Sequence, residues 1–374
     1  MNDLSLHEFH QRLGARFTGV NGSEAVNDYG DWSAEHAALH QSAGVLDLSF
    51  RSRLCLVGAD RARFLHGQVT NDVKKLRVGS GCYAAITTAK GKMESDLNIF
   101  CLADELLLDF ESGLADKVSR RLEKYIVADD VQIVDAAPHY GLLSVQGPMA
   151  ELIVRALGWV AEIPAQPLAS VNISDAALGE IYLATHAPFS NLRSRQRQEA
   201  DLPGYDLFIP NASLAAAADQ LLAAAAASGG RACGWQAYET ARIEAGIPRF
   251  GADMDETNIP LECGLEARAI SYTKGCYIGQ EVINRIHSVG HVNRELRGLR
   301  LADDLKTLPQ RGDKLLQAGK EAGHITSAAY SPWLKANIAL GFVRREADHS
   351  GAELTLQRAA GESLAKIVEL PFSR

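Results

Sequence analysis

The chain has 374 residues, 47% hydrophobic and 22% charged, the make-up of a globular protein too long for a single core, so two or three domains are expected. A formal net charge of -8 implies no broad basic face and argues against direct nucleic-acid binding. The six cysteines form no C-x-x-C pair, residues 1–10 lack the apolar centre of a secretory signal, and no run approaches the roughly 20 apolar residues of a membrane span, so a cytoplasmic protein with reduced thiols is expected, without disulfide framework, metal site or membrane contact.

In chain order, Ser33 is placed to cap a helix through Glu35, His36 and Leu39, with Gly44 as its stop. Residues 53–57 read as a strand ending at Gly58, and Asp60 opens a helix whose Phe64 and Leu65 face inward. Residues 83–88 and 97–100 read as strands around a turn at Lys90-Gly91-Lys92, and 106–110 as a further short strand. Leu114, Val118, Leu122 and Ile126 repeat every four residues and mark one face of a helix over 113–126. Residues 142–145 form a strand, and Pro148 suits the first turn of a helix that buries Leu152, Ile153 and Leu157 and stops at Gly158. Residues 164–167 form a connector, 205–209 a strand, 214–227 an alanine-rich helix and 235–245 another helix. The alternation predicts an α+β fold.

From His291 onward the texture changes. Residues 294–301, 314–317, 324–329, 338–343, 353–357 and 365–370 read as short strands, several separated by turn pairs such as Gly319-Lys320 and Gly361-Glu362. Closely spaced strands of this kind predict a small β-barrel over 290–374, leaving 1–289 as an α+β region of two intertwined domains. No G-x-G-x-x-G follows a strand, so a nucleotide-binding domain is not expected.

The most informative stretch is Lys274-Gly275-Cys276-Tyr277-Ile278-Gly279-Gln280-Glu281. A cysteine beside a lysine on a glycine turn is a candidate thiolate, with a structural thiol as the plain alternative. Gln280 and Glu281 open a helix running to Ile286. His287 and His291 follow, at a spacing common by chance. The stretch resembles the K-G-C-Y-x-G-Q-E element of the YgfZ-type folate-binding proteins, in the superfamily of the glycine-cleavage T-protein. Three further elements are similar to that superfamily: Gly58-Ala59-Asp60-Arg61-Ala62-Arg63-Phe64-Leu65 with Gln68-Val69-Thr70-Asn71-Asp72, Arg242-Ile243-Glu244-Ala245-Gly246-Ile247-Pro248, and Ala339-Leu340-Gly341-Phe342-Val343.

The resemblance implies a three-domain cloverleaf with a C-terminal β-barrel and tetrahydrofolate, or a related reduced folate, in the central hole. It implies Cys276, Lys274 and Asp96 as catalytic candidates and Asp206, Arg242 and Tyr83 as folate-binding candidates. Asp206 matches the acid of a G-(F/Y)-E element that grips the pterin, one methylene shorter, with Tyr205 on the opposite strand face. Arg242 either meets the folate tail or pairs with Glu239 or Glu244, and Tyr83 is either a ring neighbour or a core tyrosine. Asp96 stands in Gly91-Lys92-Met93-Glu94-Ser95-Asp96-Leu97, similar to G-G-x-x-D-D-L, with Ser95 where the family has its first acid. On this resemblance the expected function is that of a folate-dependent factor in iron–sulfur cluster assembly or repair. Its partners would be iron–sulfur assembly proteins or client enzymes, including tRNA-modifying ones. The alternatives are an aminomethyltransferase, whose turnover the loss of the acid at 95 would weaken, and a folate-dependent demethylase or sarcosine-type oxidoreductase fragment.

Overall fold

The computed structural model describes residues 3–186 and 203–373. Besides a two-stranded hairpin, Arg16–Val20 with Ser23–Asp28, three larger β units organise the described residues. The first is a five-stranded antiparallel sheet in the order Ser80–Thr87, Met93–Cys101, Glu105–Phe110, Ser52–Val57, Gln132–Asp135. Its two faces have different fates, because successive side chains on a strand point to opposite sides. Leu54, Leu56, Leu97, Ile99, Leu106 and Leu108 pack under the helices Arg61–Gln68 and Ala115–Glu123. Cys55, Phe100 and Leu107 face the other way, toward the second sheet.

The second unit is a six-stranded sheet in the order Ser170–Asp175, Gly179–Thr185, Gly204–Pro210, Tyr140–Gln146, Gly44–Asp47, Arg231–Ala232, antiparallel except at the last pair. Helices Ala150–Ala156 and Leu214–Ala227 cover one face through Leu143, Val145, Tyr205, Leu207 and Ile209. The opposite face presents Leu142 and Phe208 to Phe100 and Leu107 of the first sheet, with Ala237 and Ala241 of the helix Trp235–Glu244 in the same core. The third unit is a closed six-stranded antiparallel barrel running from Arg294–Leu301 to Gly361–Val368, filled by Leu299, Leu315, Ile325, Leu354, Leu356 and Ile367. No helix among the described residues is long and apolar enough to cross a membrane.

Several local readings are corrected by the packing. The helix Trp32–Gln41 is capped by Asp31, whose carboxylate accepts from the Ala34 amide at 3.0 Å, so Ser33 lies inside it. Gly44 does not end that helix but begins a strand, where a Cβ would strike Cys233 Sγ and Leu39 at 2.6 Å. Leu152 is half exposed; Ile153 is buried as expected, and Val154 rather than Leu152 joins it on the buried face of the helix. The last barrel strand ends at Val368, before Leu370 and Pro371.

Candidate active site

The two sheets and the helix Trp235–Glu244 enclose a cavity of about 860 Å³, counting its open mouth. Strand alternation aims the polar side chains into it. Asp96 and Asn98 share the parity of Phe100, and Asp109 that of Leu107, so all three acid and amide groups leave the sheet on the cavity side. Asp206 shares the parity of Phe208, while Tyr205 turns into the opposite core. Trp235, Tyr238 and the stretch from Ile247 to Phe250 line the remaining wall.

Asp96 accepts from the Tyr83 hydroxyl at 2.7 Å. Burial pushes the Asp96 carboxyl above its ordinary value, against the opposing pull of the Tyr83 hydrogen bond and the Arg51 charge. The Arg268 guanidinium lies over the Tyr83 ring, 4.9 Å from its centroid. Ser95, the departure from the family pattern, has the other parity: it is fully buried on the helix-covered side of the sheet. The acid retained is therefore the one that reaches the cavity.

Asp206 accepts from Ser144 Oγ at 2.6 Å and lies 2.9 Å from His186 Nδ1. Burial raises its pKa, but the charge and hydrogen bond of His186, the Ser144 bond and the Arg51 charge outweigh that and hold it below the ordinary value. The two aspartates are thus driven apart, one toward the protonated form and one toward the carboxylate. Arg51 grips Asp109 with two bonds of 2.9 Å, and Arg249 binds Glu111 at 3.0 Å while stacking 5.1 Å from the Trp235 ring centroid.

Arg242 borders the cavity, yet its guanidinium is committed elsewhere. It is 1% exposed, pairs with Asp253 and Glu239, and donates to Ser327 Oγ on the barrel at 2.8 Å. It braces the helix against the barrel. Arg51, Arg249 and Arg268 are cavity cations that sequence reasoning missed, as were Asp109 and Glu111. A signal for the acids existed: Asp109 and Glu111 share one parity at and beyond the end of the strand Glu105–Phe110, directly after three leucines.

Lys274 and Cys276 do not line this cavity. Lys274 is 7% exposed, and its ammonium donates to the carbonyls of His66, Val69 and Asn71 at 2.5, 2.6 and 2.8 Å. Burial pulls its pKa down to about 8. It is a tie between the 274–279 loop and the loop after the helix Arg61–Gln68, rather than an activator of the neighbouring thiol. Cys276 stands exposed. Gly279, at φ +91, comes so close to Thr88 O that a Cβ would lie 2.5 Å from it, and the helix Gln280–Val289 starts there. His287 pairs with Glu266 at 2.6 Å and stacks on Tyr272.

The chain matches the GCVT N-terminal domain over residues 6–274 and the glycine cleavage T-protein C-terminal barrel domain over 294–373. It is 28% identical over 370 residues to an aminomethyltransferase of Rubrobacter xylanophilus, covering 99% of this chain and 93% of the relative. It is 29% identical over 369 residues to one of Geobacillus thermodenitrificans, covering 98% and 97%. The fold matches that of the glycine cleavage system aminomethyltransferase T of Bartonella henselae, with a TM-score of 0.86 at 20% identity over 100% of this chain and 98% of that one.

These findings overturn the expectation of an iron–sulfur assembly or repair factor with iron–sulfur partners. Relatives across the full length carry the name aminomethyltransferase. The earlier expectation leaned on one eight-residue element, whose lysine is occupied by backbone carbonyls and whose cysteine lies outside the cavity.

Proposed function

The chain belongs to the glycine cleavage T-protein family, and from that premise we propose that it is an aminomethyltransferase, passing the carbon of a carrier-bound aminomethyl group to tetrahydrofolate. In the balanced reaction the carrier S–C bond and the C–N bond to the amine break. Two C–N bonds to the folate nitrogens form. The two protons leaving those nitrogens end on ammonia and on the carrier thiol. The carrier is a protein bearing a lipoyl thiol.

The observation that carries this reading is the pair of aspartates aimed into one cavity from facing sheets, Asp96 bonded to Tyr83 and Asp206 to Ser144 and His186. Asp206, an ionised acceptor, suits the paired N–H donors of a pterin, since each of its oxygens keeps a second lone pair after binding Ser144 and His186. Asp96, with raised pKa, suits proton transfer at a folate nitrogen. Tyr83 holds Asp96 in place from the adjacent strand. Trp235 and Tyr238 offer an aromatic wall. Arg268 has no carboxylate within salt-bridge reach among the described residues and suits the acidic folate tail.

The same reading divides the chain into a folate-binding region over 1–289 and a barrel domain over 290–374, which the closed barrel beginning at Arg294 supports. Within the family, the 274–281 element favours the YgfZ-type branch as a matter of sequence alone.

The test is reconstitution with an aminomethylated lipoyl carrier and tetrahydrofolate, following ammonia release, alongside calorimetry of folate binding. Asp206→Ala should weaken folate binding by about 1–3 kcal/mol, the cost of leaving donors unpaired. Absence of both folate binding and ammonia release in the wild-type chain would defeat the proposal.

A further inference from the structure

Outside the cavity, three metal-binding side chains converge in the interior. His36 and His40 lie four residues apart on one face of the helix Trp32–Gln41, and Glu244 is the last residue of the helix Trp235–Glu244. His40 Nε2 is 2.8 Å from Glu244 Oε2, and His36 Nε2 is 3.0 Å from both carboxylate oxygens. One ligand atom from each of the three lies within 4.8 Å of the others. His36 is 1% exposed and Glu244 5%. The surroundings hold the donors in place: the His40 ring stacks on Trp333 at 4.7 Å, and Ser331 Oγ donates to Glu244 Oε1 at 2.5 Å.

We propose that His36, His40 and Glu244 form a structural site for a divalent transition ion of the zinc class, contrary to the metal-free chain expected from sequence. Two imidazoles and one carboxylate are a donor set that suits zinc or cobalt. Ligand atoms placed about 2.0–2.1 Å from a tetrahedral ion stand roughly 3.3 Å apart. The two histidine–glutamate separations of 2.8 and 3.0 Å open by a few tenths of an ångström to reach that, and the two imidazole nitrogens, within 4.8 Å of each other, adjust to the same spacing. Without an ion, both Nε2 atoms must carry protons to bond the carboxylate; the ion replaces those protons and binds the same three atoms. Ser331 Oγ, which donates to Glu244 Oε1 and accepts from the Leu334 amide, holds the carboxylate in place beside the ion. Because Ser331 and Trp333 belong to the barrel side, and the Phe372 amide donates to Glu244 O at 2.9 Å, the ion ties two helices to the barrel.

The experiment strips the full-length chain with a chelator and titrates it with Zn²⁺ and, separately, Co²⁺. Wild-type protein should bind one ion per chain, show the visible absorption of four-coordinate cobalt, and gain thermal stability with ion concentration. His40→Gln, which retains a hydrogen-bond donor for Glu244, should lower affinity at least about 100-fold. His287→Gln, at a separate histidine–glutamate pair, should leave it unchanged. Should His40→Gln fail to fold, imidazole ¹⁵N shifts in the wild type decide: two histidines changing on zinc addition support the site. No stoichiometric binding, unchanged imidazole shifts, or equal affinity in His40→Gln would overturn it. Folate binding is measured separately, so a negative result here does not touch the proposed transferase activity.

Discussion

Tyr83 and Asp96 stand diagonally across the pairing of Ser80–Thr87 with Met93–Cys101, where Tyr83 opposes Asn98 and Ala85 opposes Asp96. Diagonal neighbours on one face are within reach of a tyrosine, and the hydroxyl closes on Asp96 Oδ2 at 2.7 Å. This bond favours the carboxylate, whereas burial favours the acid and wins. The acid limb of the pH–rate profile should therefore lie above the range of an ordinary aspartate. Tyr83→Phe removes a bond that lowers the pKa, so the limb should move to still higher pH. Asp96→Asn should abolish it and cut turnover about 100-fold or more, with folate still bound. A limb that does not move in Tyr83→Phe would remove Asp96 from proton transfer.

Asp206 bears on stability as well as on ligand binding. Its folded-state pKa lies below the ordinary 3.8. The unfolded chain thus takes up its proton first as pH falls. The stabilisation is complete above the ordinary carboxylate range and disappears as pH drops through the lowered value. Asp206→Asn should cost about 1.5–3 kcal/mol at neutral pH, the worth of hydrogen bonds to a charged group. Denaturant titrations should show that gap from wild type closing in acid. A gap independent of pH would assign the loss to packing.

Lys274 and Cys276, adjacent but for one glycine, should behave in opposite ways. Lys274→Met strands three backbone carbonyls that now accept from one ammonium, and should destabilise the chain by about 2–3 kcal/mol. Cys276→Ala changes an exposed side chain and should stay within about 0.5 kcal/mol of wild type, with aminomethyl transfer intact. Alkylation should reach Cys276 first. Cys55, Cys233 and Cys263 are buried and their thiols are pushed up by that burial, and Cys82 is pushed up to about 12. Mass spectrometry of a time course distinguishes these sites. Labelling of Cys263 ahead of Cys276 would contradict the burial order.

What was legible in the sequence follows from which interactions are local. The helix Leu214–Ala227 and the strands Arg294–Leu301 and Lys314–Gln317 have the bounds that propensity and turn residues imply, because those signals act within a few residues. The edge strands Gln132–Asp135 and Ser170–Asp175 carry few buried side chains, so alternation was too faint to mark them. Asp96, Asp206 and Tyr83 could be singled out by resemblance, and all three line the cavity. Arg51 and Arg249 could not. Arg51 precedes a strand and Arg249 follows a helix almost 200 residues later; only the tertiary fold brings both to Glu111. Arg242 could be read either way, because a motif arginine looks the same whether it meets a ligand or an acid; it pairs with Glu239, one of the two partners the sequence offered, and with Asp253, which only the tertiary fold brings to it.

Ser95 offers the sharpest test of strand parity. By family pattern, Ser95→Asp restores a missing acid and should improve activity. By geometry, it should not. Ser95 is 0% exposed and shares the parity of Leu97 and Ile99, which pack beneath the helices, while Asp96 alone of the pair faces the cavity. A carboxylate at 95 would be buried on the apolar side, where an unpaired charge costs about 3–5 kcal/mol. The substituted protein should show a lower melting temperature, a raised pKa for the new acid, and no gain in ammonia release per folded molecule. Ser95→Ala should keep both stability within about 1–2 kcal/mol and turnover, since only the 3.2 Å bond to the Asp96 carbonyl is lost. Increased turnover in Ser95→Asp would mean that the acid at 95 reaches the reacting atoms, and the division of labour between the two faces of this strand would have to be abandoned.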